Sequence, residues 1–399
     1  MRSLLGASPT RWGVGICLSV LAVAAGCNKT NAPPDRKAQA QVPAVPSPEA
    51  QKVDDAAKFL AGIKGRSNSE YRDLEEQPAW QSHASQMDSL WAQFDTKQLK
   101  PAREFYKREI QQLGAPQGGF VFYPFGGPDV IYVTTFFPQG RTYVLAGLEP
   151  VGSVPAPAMY TAKNLEPTFG SLRESAGIFR RSFFVTSEMD RQFRGRVTDG
   201  LTPMILLLLA RTGHTVFGMR YVGLTPEGKL VAASQPKPKG VEIEFRRQGD
   251  TESRKMYYFS GDLSNAKVEA NPGFIKFAEG LGPSDTLIKS ASFLLHWKEF
   301  TMMRQLVMDN SNVILQDDTG IPYRLLKKDG WKVSFYGKYS APDKPFKGQY
   351  QKDLEAAFEE PGSARDLGFS LGYGYGRRSS HLVFARKSKL TAQTTAPSR

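Results

Sequence analysis

The hydrophobic pattern changes character about a third of the way along the chain. Before that point, apolar residues recur at helical spacing. Pro78 opens a segment that carries Trp80, Met87, Trp91 and Phe94 on one face, and Pro101 opens a second with Phe105, Tyr106, Ile110 and Leu113. The two segments predict a helical hairpin packed on the main domain. His83 shares the face of Trp80 and Met87 and reads as a packed histidine.

From Gly118 the apolar runs are short and punctuated. Phe120-Val121-Phe122-Tyr123 lies between Gly118-Gly119 and Pro124-Phe125-Gly126-Gly127, and Thr142 to Leu148 is a second such run. The stretch between them opens at Pro128-Asp129 and closes at Pro138. Strand, glycine turn, helix and strand make a βαβ unit with a parallel pair. The β-branched residues of Val130 to Thr135 count against the helix in this unit.

The same grammar recurs downstream. Thr202-Pro203 starts a helix whose Met204 to Ala210 is apolar all round, so it predicts a buried helix too short to span a membrane. Strands are expected at Val216 to Val222, Thr286 to Leu295, Asn312 to Gln316, Trp331 to Tyr339 and His381 to Ala385. Two exposed hairpin strands are expected at Val241 to Phe245 and Lys255 to Ser260. Helices are marked by Phe274, Phe277 and Leu281, by Phe300, Met303, Leu306 and Val307, and by Tyr350, Leu354, Ala357 and Phe358. Strands that alternate with helices predict an α/β fold: a Rossmann-like, mostly parallel sheet flanked by helices, with the N-terminal helical hairpin added.

The first residues change the picture from fold to location. Arg2 and Arg11 precede an uncharged run from Gly13 to Ala25, and Ala24-Ala25-Gly26-Cys27 has the form of a lipoprotein cleavage site. The run is shorter than the roughly 20 residues of a spanning helix. The expected organisation is a signal peptide over 1–26 and a disordered tether over 27–52, where Pro33, Pro34, Pro43, Pro46 and Pro48 sit among polar residues. N-terminal helices follow over 53–116, the α/β domain over 117–387, and a disordered tail over 388–399. Cys27 is the expected lipidation site, and the palmitate-type anchor would need more than one chain for stable attachment. The segment resembles the signal of Gram-negative lipoproteins, and that resemblance implies, from Asn28 rather than Asp after the cysteine, the outer membrane facing the periplasm.

Cysteine count and charge sharpen this further. The chain has two cysteines; Cys17 leaves with the signal and Cys27 is acylated, so the mature protein offers no thiol for catalysis, disulfides or metal. The formal charge of +13 falls to +11 when Arg2 and Arg11 are removed. A basic surface makes anionic envelope components candidate partners alongside the membrane. The basic residues come as short doublets such as Arg246-Arg247 and Lys327-Lys328, so nucleic acid is not an expected partner.

Candidate chemistry gathers where strands end. Phe125-Gly126-Gly127-Pro128-Asp129 stands at the phosphate-loop position of a dinucleotide fold, and Glu149 follows Gly127 by 22 residues, near the ribose position. Only two glycines are present and Pro128 lacks an N–H, so the turn reads as a Rossmann-like turn without a nucleotide, and no cofactor is expected. Tyr123, Gly126, Gly127 and Asp129 are the expected ligand-binding residues. Glu149, His296, Asp317 and Asp318 also fall at strand ends, a set that could run acid–base hydrolysis or hold a divalent cation. Each carboxylate could equally cap a helix or close a turn, so no metal site is assigned. Gly372, Gly374 and Gly376 alternate with Tyr373 and Tyr375, which reads as an aromatic rim over a pocket.

Tyr123-Pro124-Phe125-Gly126-Gly127-Pro128-Asp129, Gly147-Leu148-Glu149-Pro150-Val151-Gly152 and Leu315-Gln316-Asp317-Asp318-Thr319-Gly320-Ile321-Pro322 together resemble a group of uncharacterised bacterial envelope lipoproteins. The resemblance implies one recurring fold with a shared pocket and carries no reaction. The expected function is that of a membrane-anchored envelope lipoprotein with a ligand-binding or structural α/β domain. The alternative is a metal-assisted or acid–base hydrolase of envelope material. A methyltransferase-like enzyme is expected only if the chain stays in the cytoplasm.

Overall fold

The computed structural model describes residues 46–113, 119–180, 199–233, 237–377 and 379–387. Cys27, the signal, most of the tether and the C-terminal tail lie outside the described residues. Eleven strands form a single sheet in the order β10-β9-β11-β8-β7-β1-β2-β6-β5-β3-β4. Its middle is β1 (Phe120–Tyr123), β2 (Thr142–Gly147), β6 (Arg254–Ser260), β7 (Ser284–Ile288) and β8 (Ser311–Gln316). These five run parallel, as β8-β7-β1-β2-β6.

The edges run differently, and the expectation of a mostly parallel sheet is corrected to a mixed one. β3 (His214–Leu224), β4 (Leu230–Ala232) and β5 (Gly240–Arg247) join β6 through antiparallel pairings. β11 (His381–Arg386) inserts antiparallel between β8 and β9 (Lys332–Gly337), and the short β10 (Ala364–Arg365) pairs with β9. On one side β3 connects directly to β4 and β5 to β6, and each of these pairs is a hairpin that runs antiparallel. On the other, the chain leaves β9 and returns as β11 between it and β8.

The period-two alternation of the central strands splits the core into two layers. Val121, Tyr123, Tyr143, Leu145 and Tyr258 face one apolar cluster with the N-terminal helices, while Phe120, Phe122, Val144, Ala146 and Phe259 face the other. The helix Thr202–Arg211 is buried from Thr202 to Ala210, which explains why it is apolar on every side. β5 is buried as well. Glu242 on it is paired with Arg220 at 2.7 Å and Lys255 at 3.5 Å, so the alternation read as solvent exposure is an alternation between core and ion pairs.

Two further expectations are corrected. The helix Pro48–Leu60 begins inside the stretch read as tether, capped by the Ser47 side chain, which accepts from the Ala50 N–H. The N-terminal helical hairpin is not formed. Residues 78–113 wind on without a turn, as helix Pro78–Phe94, a wide π turn Asp95–Leu99, helix Lys100–Phe105, a second π turn Tyr106–Ile110 and a last tight turn. Proline inside a helix clashes with the carbonyl four residues back. A π turn directly before Pro101 opens the spacing and lets the helix pass through.

Candidate functional site

The chain enters the sheet at β1, steps to β2 on one side, and later places β7 on the other. The crevice at the carboxyl ends of β1 and β7 is therefore a topological switch point, where open α/β sheets place ligands. Tyr123 ends β1, and the turn after it brings Asp129 back beneath the start of helix Val130–Phe136. Asp129 Oδ1 accepts the Tyr132 N–H at 3.1 Å as the helix cap. Its Oδ2 lies 3.1 Å from Lys289 Nζ, with both side chains 1% exposed, and accepts from the Tyr123 hydroxyl at 3.2 Å. The Lys289 ammonium also lies over the Tyr132 ring, 4.8 Å from its centre. Burial, then the Asp129 charge, pushes the Tyr123 hydroxyl well above its ordinary pKa, so it stays a donor.

The glycines of this turn serve packing as much as openness. A side chain at Gly126 would meet the Tyr123 ring at 2.4 Å. Glu149, 6% exposed, folds back at the end of β2: its Oε2 would lie 2.5 Å from a Cβ on Gly147 and 3.8 Å from one on Gly127. The structure thus places Glu149 against the Gly127 turn, as the spacing implies, while committing Asp129 to Lys289.

A second group sits one strand over. Strand β7 stops at Ile288 instead of running to Leu295, and Ser290, Ser292 and Phe293 then take left-handed backbone angles of 52°, 49° and 58°. Three such non-glycine residues close together mark stored strain, held by their surroundings. Asp317, after β8, holds this bend. It accepts the Ser290 N–H at 2.8 Å, the Thr319 N–H at 3.0 Å and the Thr319 hydroxyl at 2.5 Å. Burial, with the neighbouring Asp318 second, raises its pKa. The Tyr373 hydroxyl meets the Ser290 carbonyl at 3.1 Å and Ser292 Oγ at 3.0 Å, so the Gly–Tyr segment closes over the bend.

Asp318 turns toward the start of β11. Its N–H donates to His381 Nε2 at 3.1 Å, and its Oδ1 lies 3.4 Å from the same nitrogen. Burial disfavours charge on the His381 ring, but the Asp318 carboxylate outweighs it and raises the pKa. His296 borders the same aspartate. Burial dominates there and lowers its pKa to about 4, against the pull of Asp318, and its Nε2 is buried without a partner among the described residues. Phe293, Asp318, Tyr373 and His381 line a small cavity of about 20 Å³. Among the described residues, no three His, Cys, Asp or Glu side chains are placed to hold a metal ion.

Tyr123 and Asp129 thus meet each other, Glu149 meets the Gly127 turn, and Asp317, Asp318 and His296 share one neighbourhood. Sequence reasoning missed Lys289, Ser290 and the pairing of His381. Lys289 carried a signal: a lone charge directly after the apolar Leu287-Ile288. Compared with known proteins, the chain finds no match among family models, curated proteins or solved structures.

Proposed function

We propose that the protein is a membrane-anchored lipoprotein of the cell envelope, tethered through acylated Cys27, whose α/β domain binds a ligand or serves a structural role. The sequence from Arg2 to Cys27 supports the location. No helix among the described residues is long and apolar enough to cross a membrane. The observation that carries the binding or structural role is the buried Asp129–Lys289 pair with Tyr123. The central order β8-β7-β1-β2-β6 supports a Rossmann-like origin, and that pair fills the position where such a sheet would present its phosphate loop. Metabolic labelling with radioactive palmitate and membrane fractionation test the anchor. Label and membrane association should both vanish in Cys27→Ser; a full-length, unlabelled cytoplasmic protein would overturn the reading.

A second reading, acid–base hydrolysis of envelope material, is favoured by the strained bend at Ser290, Ser292 and Phe293 beside Asp317. In it Asp317 or Asp318 would move the proton, with His381 orienting Asp318. Chromogenic ester and phosphodiester substrates distinguish the two readings. Turnover abolished by Asp318→Asn supports the hydrolase, and turnover unaffected by that change is contamination.

A further inference from the structure

A cleft with a strongly charged lining lies at the opposite edge of the sheet from the switch point. It has a volume of about 620 Å³ and runs between the 91–111 part of the long helix and the amino ends of β2 and β6. Six cations line it, namely Lys100, Arg103, Lys107, Arg211, Arg247 and Arg254, against the two acids Asp95 and Glu104. Three of the six are already matched: Arg103 to Asp95 at 2.8 Å, Arg211 to Asp88 at 2.6 Å and Arg254 to Asp250 at 2.7 Å.

Lys100, Lys107 and Arg247 meet no carboxylate among the described residues, and Glu104 is the one lining acid without a cation. Arg254 adds an independent sign. Its side chain is 11% exposed, and its Nη1 is buried with no partner among the described residues. A buried guanidinium N–H left unmatched is costly, and an anion in the cleft would satisfy it. Trp91, Leu99, Tyr106 and Tyr143 supply apolar surface beside these cations. Both π turns, Asp95–Leu99 and Tyr106–Ile110, fall in the helical wall, and such turns recur at functional sites.

We propose that this cleft binds a phosphate-bearing organic ligand, its phosphate held by Arg247 and Arg254 and its body against Trp91 and Tyr106. Guanidinium groups suit phosphate because two N–H donors match two oxygens. The ligand could be a soluble phosphorylated molecule or the headgroup of a lipid, and both present the same chemistry. This site does not depend on the lipid anchor or on the carboxyl-end residues. His214 lines the same cleft. Burial, followed by the Arg254 and Arg247 charges, lowers its pKa to about 4, so it reports on the local potential.

Inorganic pyrophosphate, titrated calorimetrically into the full chain in detergent, is the first probe. Saturable binding that strengthens as salt is lowered is expected. Arg247→Ala, at an exposed position, should weaken it about tenfold or more, and so should Lys107→Ala combined with Arg247→Ala if Arg254→Met fails to fold. Bound pyrophosphate should also raise the His214 pKa, read by NMR in a chain with only four histidines. Glucose 1-phosphate and phosphatidylglycerol vesicles then separate the sources: the one whose binding Arg247→Ala weakens is the ligand class. Absence of pyrophosphate binding at low salt, or binding that neither Arg247→Ala nor His214 registers, would overturn the proposal.

Discussion

The two edges of the sheet handle buried ionised groups differently. At the carboxyl edge the carboxylates of Asp129 and Asp317 are matched, Asp129 by Lys289, Tyr123 and a helix N–H, and Asp317 by three donors. The groups left without a partner there among the described residues, Ser290 Oγ and His296 Nε2, are neutral. At the amino edge the matching is incomplete. Asp285, 4% exposed at the start of β7, leaves its Oδ1 without a partner among the described residues, and Arg254 leaves its Nη1 so. The contrast teaches where each edge spends its free energy. Satisfied polar networks fix one conformation, whereas unmatched buried groups keep a demand that a ligand or a proton can meet.

Removing Lys289 should break the contrast most severely. Lys289→Met leaves Asp129 charged and buried, which should cost about 3–5 kcal/mol in urea unfolding, and Asp129→Asn in the same chain should recover much of it. A loss below about 1 kcal/mol would mean the pair is not what locks this edge. Asp285 is the counterpart. Burial raises its pKa from 3.8 to about 7, so the folded chain keeps a proton that the unfolded chain releases between those values. Stability should fall as pH rises through that window, and Asp285→Asn should remove the slope and stabilise the protein at pH 8 by roughly 2–4 kcal/mol. An unchanged pH profile would show that Asp285 is paired in solution.

The smallest expected effect concerns the strained bend. Gly372 has a φ of 59°, and a Cβ there would lie 2.9 Å from Asp317 Oδ2 and 3.2 Å from Ser290 Oγ. Gly372→Ala should cost about 1–2 kcal/mol. A neutral or stabilising result would show that the segment over the bend is loosely held.

Much of the sheet was legible because local pattern decides it. Phe120 to Tyr123, the glycine turn and Thr142 to Leu148 announced the parallel β1–β2 pair, and the all-apolar Met204 to Ala210 announced its burial. Pairing direction was not legible, because nothing in His381 to Ala385 says that β11 will run against β8. Pro101 misled by a general rule: proline normally ends a helix, and here a π turn absorbs it. Of the carboxyl-end group, the acids were visible as residues at strand ends, but their partners Lys289 and His381 come from distant strands. The basic cleft left no local trace, since Lys107, Arg211, Arg247 and Arg254 meet only after folding.

Hydrogen exchange with and without pyrophosphate compares the two edges in a single experiment. Slowed exchange is expected in 95–111, 138–143 and 247–255, with none at 124–129 or 289–293. Protection confined to 124–129 and 289–293 would contradict the assignment of the closed edge and the receptive one.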